Sequence, residues 1–178
     1  GGIELPKKQQ ARMLKLREGK GVTYASDLKW KKASAGAETV LADQNYKKQP
    51  LGIGGQKIPK GIWTHAFQDG SPADTVFDLQ GRNFVAFRAL VGLDELGVSG
   101  SIQFQVLVDG KLKAETPVLR GGESLMLDVN LTGAKEITLR VLNGGDGYSY
   151  DQAVWGLARF LESGSTDVVE EWNDTKEK

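Results

Sequence analysis

The chain has 178 residues with 23 basic and 23 acidic side chains and no net charge, so its overall field draws it neither to nucleic acid nor to an anionic membrane. It has no cysteine, which removes disulfides, thiol catalysis and thiolate metal sites. No apolar run approaches the roughly 20 residues of a membrane-spanning helix. The length fits one β-sandwich at 24–162 between a basic leader at 1–23 and an acidic tail at 163–178. A start at Gly1-Gly2 without methionine is expected of a processed or recombinant chain.

The leader is lysine-rich, and Ala11, Met13, Leu14 and Leu16 predict a short amphipathic helix or a linker, ended by Gly19 and Gly21. Residues 24–30 (YASDLKW) read as an opening turn whose aromatics seal one end of the sandwich. The glycines of 51–56 (LGIGGQ) predict a hairpin turn, because no helix pattern or lysine-threonine pair follows as phosphate binding would require. Residues 60–70 (KGIWTHAFQDG) read as a loop that exposes Trp63 beside His65, the only histidine, or equally as a turn between two core strands, with His65 either contacting ligand or tying adjoining loops by a hydrogen bond. An apolar aromatic face and a directional imidazole are what a sugar ring asks for, since its C–H groups stack and its hydroxyls need oriented partners.

Strands follow at 76–79 and Phe84–Leu93, parted by Gln80-Gly81. Asp94 and Glu95 come next; adjacent acids point to opposite faces, which disfavours a joint acid/base role and leaves Glu95 for ligand contact and Asp94 for capping the loop. Ile102, Phe104, Val106 and Val108 alternate, Asp109-Gly110 signals a two-residue hairpin, and 111–118 returns. Leu125, Leu127, Val129 and Leu131 share a face, as do Ile137, Leu139 and Val141. The loop 143–151 (NGGDGYSYD) offers Asp146 and Asp151 as candidate calcium ligands, though without EF-hand spacing. Ala153, Trp155, Leu157 and Leu161 predict a closing strand with Trp155 in the core. About eight short strands with glycine-rich turns make this an all-β sandwich or jelly roll.

No nucleophile-elbow motif is present, and a glycosidase would need two facing carboxylates, for which Glu95 and Asp151 are the weak candidates. Taken in order, YASDLKW (24–30), PLGIGGQKIPKGIWTHA (50–66), VFDLQG (76–81), FRALVGLDE (87–95), GSIQFQVLVDGK (100–111) and GGDGYSYDQAVWGLARF (144–160) resemble the NPCBM domains, which include carbohydrate-binding module family 51. The resemblance implies a galactose-binding-like β-sandwich, appended to a secreted bacterial glycosidase or related enzyme and binding galactose-containing glycans. By position it matches His65, Asp94, Glu95, Asp151 and Trp155 to motif residues; together with the reading of the loops, the expected carbohydrate-binding residues are Trp63, His65, Arg88, Glu95 and Asp151. The expected partners are a galactoside and a linked catalytic domain, with no required cofactor, structural calcium as the candidate ion, and a secreted or periplasmic location. Three residues depart from the family pattern: Trp63 replaces a smaller residue, Gln152 a frequent histidine, and Val154 an acid. They motivate an alternative, a structural or protein-interaction sandwich that has lost sugar binding.

Overall fold

The structure, a computed structural model, describes residues 7–8, 14–16, 20–36, 39–97, 99–145, 151–167 and 169–171. Two antiparallel sheets face each other. The seven-stranded sheet runs Lys7–Lys8, Glu123–Asn130, Phe84–Leu93, Gln152–Glu162, Gly61–His65, Leu41–Ala42, with Val22–Tyr24 also pairing with Gln152–Glu162. The six-stranded sheet runs Lys111–Glu115, Ser101–Val108, Glu136–Asn143, Ala73–Asp78, Lys32–Ala33, with Leu119–Arg120 on the flank of Ser101–Val108. The expected alternation holds: Ile102, Phe104, Val106, Leu125, Leu127, Val129, Ile137, Leu139 and Val141 all enter the core between the sheets. The Asp109-Gly110 turn has φ 50° and 80°, the pair of positive values that a tight hairpin with the right twist requires.

Trp155 lies in that core, edge-on to Phe104 with ring centroids 5.1 Å apart. Leu157 does not share its face, contrary to the simple alternation. The ladder to Phe84–Leu93 slips between Arg88 and Leu90, and Leu157 adopts φ 51°, so one extra residue turns Leu157 to the outer face while Ala158 returns inward.

That outer face carries a second apolar cluster of Leu51, Ile53, Ile58, Trp63, Leu90, Val154 and Leu157. Leu51–Ile53 and Gln56–Ile58 form a hairpin, closed by Gly54 and Gly55 at φ 56° and 85°. The hairpin lies on three glycines of three adjacent strands. A Cβ on Gly61 would stand 3.0 Å from Leu51 Cδ1, on Gly156 3.0 Å from Ile58 Cδ1, and on Gly92 2.9 Å from Ile53 Cγ2. Missing side chains on the sheet thus admit the hairpin's own.

The flanks depart from expectation. Where the leader is described it is extended, not helical: Lys7–Lys8 pairs with Glu123–Asn130, and Leu14–Leu16 pairs with Val169–Glu171. Leu14-Lys15-Leu16 alternates with period two, so the same residues suit a strand when a partner strand is at hand. The tail supplies that partner at Val169–Glu171. Leu28 and Trp30 pack against the main core, at the opening turn.

Gly156→Ala tests the glycine bed. Its Cβ would meet the Leu90 carbonyl oxygen at 2.8 Å as well as Ile58, so we expect a loss of roughly 1–3 kcal/mol in urea unfolding. A value within about 0.5 kcal/mol of the parent protein would show that the hairpin is not held this way.

Candidate functional site

Residues 61–65 are a strand, not a loop, which changes the standing of Trp63. Every residue of Gly61–His65 is buried, and Trp63 is 1% exposed. It sits opposite Val154, and its Nε1 donates to Gln152 Oε1 at 3.3 Å. The three departures noted in the sequence are therefore one packed unit: a bulky ring over a valine, with an amide receiving the indole N–H. In this conformation Trp63 has no free face for a sugar.

His65, Gln152 and Asp94 stand at neighbouring strand ends. His65 is the register partner of Gln152, and the Asp94 amide donates to the Gln152 carbonyl at 3.0 Å. His65 is 7% exposed; its Nδ1 lies 2.7 Å from the Ala66 carbonyl, which can only accept, so Nδ1 is the donor there. The ring also meets Trp63 edge to face, centroids 6.4 Å apart. Asp94 Oδ1 accepts from the Leu96 amide at 3.0 Å, the capping role expected of it. Burial pushes the Asp94 carboxyl above the usual range, against the opposing pull of hydrogen bonds from the Leu96 and Gly52 amides.

Glu95 clasps the hairpin. Its Oε1 accepts from the Gly55 amide at 2.7 Å and its Oε2 pairs with Lys57 Nζ at 3.2 Å. Asp151 is fully buried, with Oδ1 accepting from the Ser101 amide at 3.0 Å, and the Ala66 amide donates to its carbonyl. Glu95 and Asp151 thus each hold backbone of a different segment. Asp146, the other candidate calcium ligand, lies outside the described residues. Among the described residues no group of three or more His, Cys, Asp or Glu is placed to hold a metal ion.

Arg88 is not brought to this end of the sheet. It lies across from Arg159 and Asp128, five positions back along its strand from Leu93. There Asp167, from the acidic tail, receives Arg88 Nη1 at 2.9 Å and both Nε and Nη2 of Arg159 at 2.9 and 2.7 Å. The Arg159 side chain is only 3% exposed, so this bidentate pair fastens the tail to the sandwich. Nothing in the residue order marks Asp167 for that role, because the arginines it meets are brought together only by the sheet.

One half-exposed aromatic residue went unnoticed in the sequence. Tyr46 is 41% exposed and lies over Trp63, ring centroids 5.9 Å apart. The run Asn45-Tyr46-Lys47-Lys48, an aromatic among turn-forming and charged residues, was the available signal. A groove of about 560 Å³ lined by Lys111, Lys113, Asp128, Asn130 and Thr132 contains none of the expected site residues.

Two facing antiparallel sheets with polar side chains gathered at strand ends define an all-antiparallel β-sandwich. The chain belongs to the NPCBM/NEW2 domain family, whose model matches residues 21–161. It is similar to the CBM51-2 and INT domains of Clostridium perfringens ZmpB (32% identity, TM-score 0.68, covering 79% of this chain and 31% of that one). It is likewise similar to the CBM51 of Clostridium perfringens GH95 solved with methyl-galactose (26%, TM-score 0.69, covering 79% and 99%). A third relative is the tandem CBM51 of Sp3GH98, the family 98 glycoside hydrolase of Streptococcus pneumoniae SP3-BS71 (25%, TM-score 0.69, covering 80% and 47%). The chain spans about a third of the length of the ZmpB two-domain structure, and it has no match among curated protein sequences. The galactose-binding-like sandwich expected from the motifs is thus the observed one.

Two predictions follow from the buried charges. Asp167→Ala strands the Arg159 charge, and we expect a loss of roughly 3 kcal/mol in urea unfolding, largely restored in Asp167→Ala/Arg159→Met. An unchanged midpoint for the single variant would refute the tail clasp. For Asp94, the raised value means that the folded state keeps a proton the unfolded chain releases. Stability is then fully present below the unfolded value of about 3.9 and falls as pH rises through the raised one. Asp94→Asn should lack this fall, so its stability relative to the parent should increase with pH over that interval; a constant difference would overturn the burial argument.

Proposed function

We propose that this domain binds a terminal hexopyranoside at the end of the seven-stranded sheet that carries His65, Gln152 and Asp94, with Glu95 following in chain order. The observation that carries the reading is the convergence of His65, Gln152 and Asp94 on three adjacent strand ends, in a chain whose family relatives include a CBM51 solved with methyl-galactose. Glu95 retains partial exposure beside the Gly55 amide and Lys57, leaving carboxylate lone pairs for hydroxyl donors. Galactosides are the leading ligand class. A second reading, N-acetylglucosamine, is favoured by the CBM51-2 of Clostridium perfringens ZmpB solved with GlcNAc, which is 33% identical.

Such a site acts by concentration: it holds a linked catalytic domain near its glycan and raises the local substrate level without new chemistry. The relatives support that arrangement, since one structure joins two CBM51 domains to an M60 catalytic domain and another comes from a glycoside hydrolase. On this reading the protein works outside the cytoplasm, where such glycans are displayed. Trp63, being buried, supports the site; Arg88 serves the tail.

A glycan array followed by calorimetry tests the proposal. We expect a galactoside or GlcNAc-terminated glycan to bind, and His65→Ala to weaken it at least tenfold while the unfolding midpoint stays in the folded range. Absence of binding to every glycan, with the protein demonstrably folded, would leave the interaction-domain alternative in its place.

A further inference from the structure

We propose that Tyr46 is the aromatic platform of this glycan site, taking the C–H face of a hexopyranose ring, with Trp63 as its buttress. The inference rests on the glycan reading above and names a residue that the family motifs do not mark. Among the described residues, the exposed large hydrophobic side chains are Tyr46, Leu112, Val118 and Met126, and Tyr46 alone of these four is aromatic.

The platform is held in place on two sides. Beneath it Trp63 packs at 5.9 Å with the planes inclined by 41°, and Trp63 in turn touches His65. Around it the loop is tied by Asn45, itself buried. Asn45 Oδ1 accepts from the Lys47 and Gln49 amides at 3.0 and 3.1 Å. Backbone bonds join Asn45 N to Gln49 O and Lys48 N to Asn45 O, both 2.9 Å. Lys48 takes φ 61° to close the turn. Four hydrogen bonds and a left-handed residue thus fix a loop whose tip is a half-exposed ring. A tyrosine fixed in advance loses little rotamer freedom on binding, and its face suits the C–H surface of a sugar. Lys47 Nζ lies 5.9 Å from the ring centroid, close enough to donate to hydroxyls of a sugar lying there.

This also gives the Trp63 substitution a consequence. A small residue at that position would leave a hollow under Tyr46. The indole fills it and carries Tyr46 on its surface.

The test uses the whole chain with methyl β-galactopyranoside and GlcNAc as probes, by NMR titration and calorimetry. We expect the sugar's ring protons to shift upfield on binding, Tyr46→Ala to abolish that shift and weaken binding at least tenfold, and Tyr46→Trp to keep both. His65→Ala is run in parallel. If the parent protein binds and His65→Ala weakens it while Tyr46→Ala leaves affinity and shift unchanged, the platform is wrong and the glycan site stands. If the folded parent protein binds neither probe nor any arrayed glycan, the glycan reading itself fails and the platform with it.

Discussion

The structure depends on covering the outer face of the Gln152–Glu162 strand. That strand lies inside the seven-stranded sheet, and almost all of it is buried on both faces. One face is met by the opposite sheet. The other would leave Trp63, Leu90, Val154 and Leu157 as an apolar patch in water, and the 51–58 hairpin removes it. The hairpin descends close because Gly61, Gly92 and Gly156 place no side chains beneath it, where a Cβ would also crowd the carbonyl oxygens of Trp155, Glu123 and Leu90. Backbone conformation is a lesser part of their role; close approach is the greater.

Several charged side chains of this neutral chain staple distant segments together. Glu95 joins its loop to the hairpin through Gly55 and Lys57, and Asp167 joins the tail to Arg88 and Arg159. Arg140 grips Asp74 with both Nε and Nη2 on the neighbouring strand of the other sheet. Side chains that look like ligand donors in the sequence are therefore partly occupied before any ligand arrives. At the strand end His65 is buried and Glu95 partly exposed, and Tyr46 stands half-exposed over Trp63. Trp63 links the two, touching both Tyr46 and His65 while its N–H is satisfied by Gln152.

The motif order and the alternation of apolar residues were sufficient to give the sandwich, its hairpins and the core position of Trp155. They misplaced residues whose setting depends on another segment. Trp63 read as exposed because glycines bracket its segment; Gly61 is there to admit Leu51, and the same hairpin buries the tryptophan. Leu157 read as a partner of Trp155 because alternation assumes an unbroken ladder, and a bulge at φ 51° reverses the face. Leu14–Leu16 read as helix because its partner strand lies more than 150 residues away in the chain.

The sequence by itself determined the periodicities, the turn chemistry and the family, since these are local properties or an ordered series of local motifs. Only the tertiary structure decided which side chains are exposed and which face protein. Trp63 is buried because the 51–58 hairpin shares its apolar cluster and Tyr46 packs over it. Arg88 serves the tail because Asp167 and Arg159 meet it in space. Exposure is a sum over contacts from every segment of the chain, and no local pattern holds that sum.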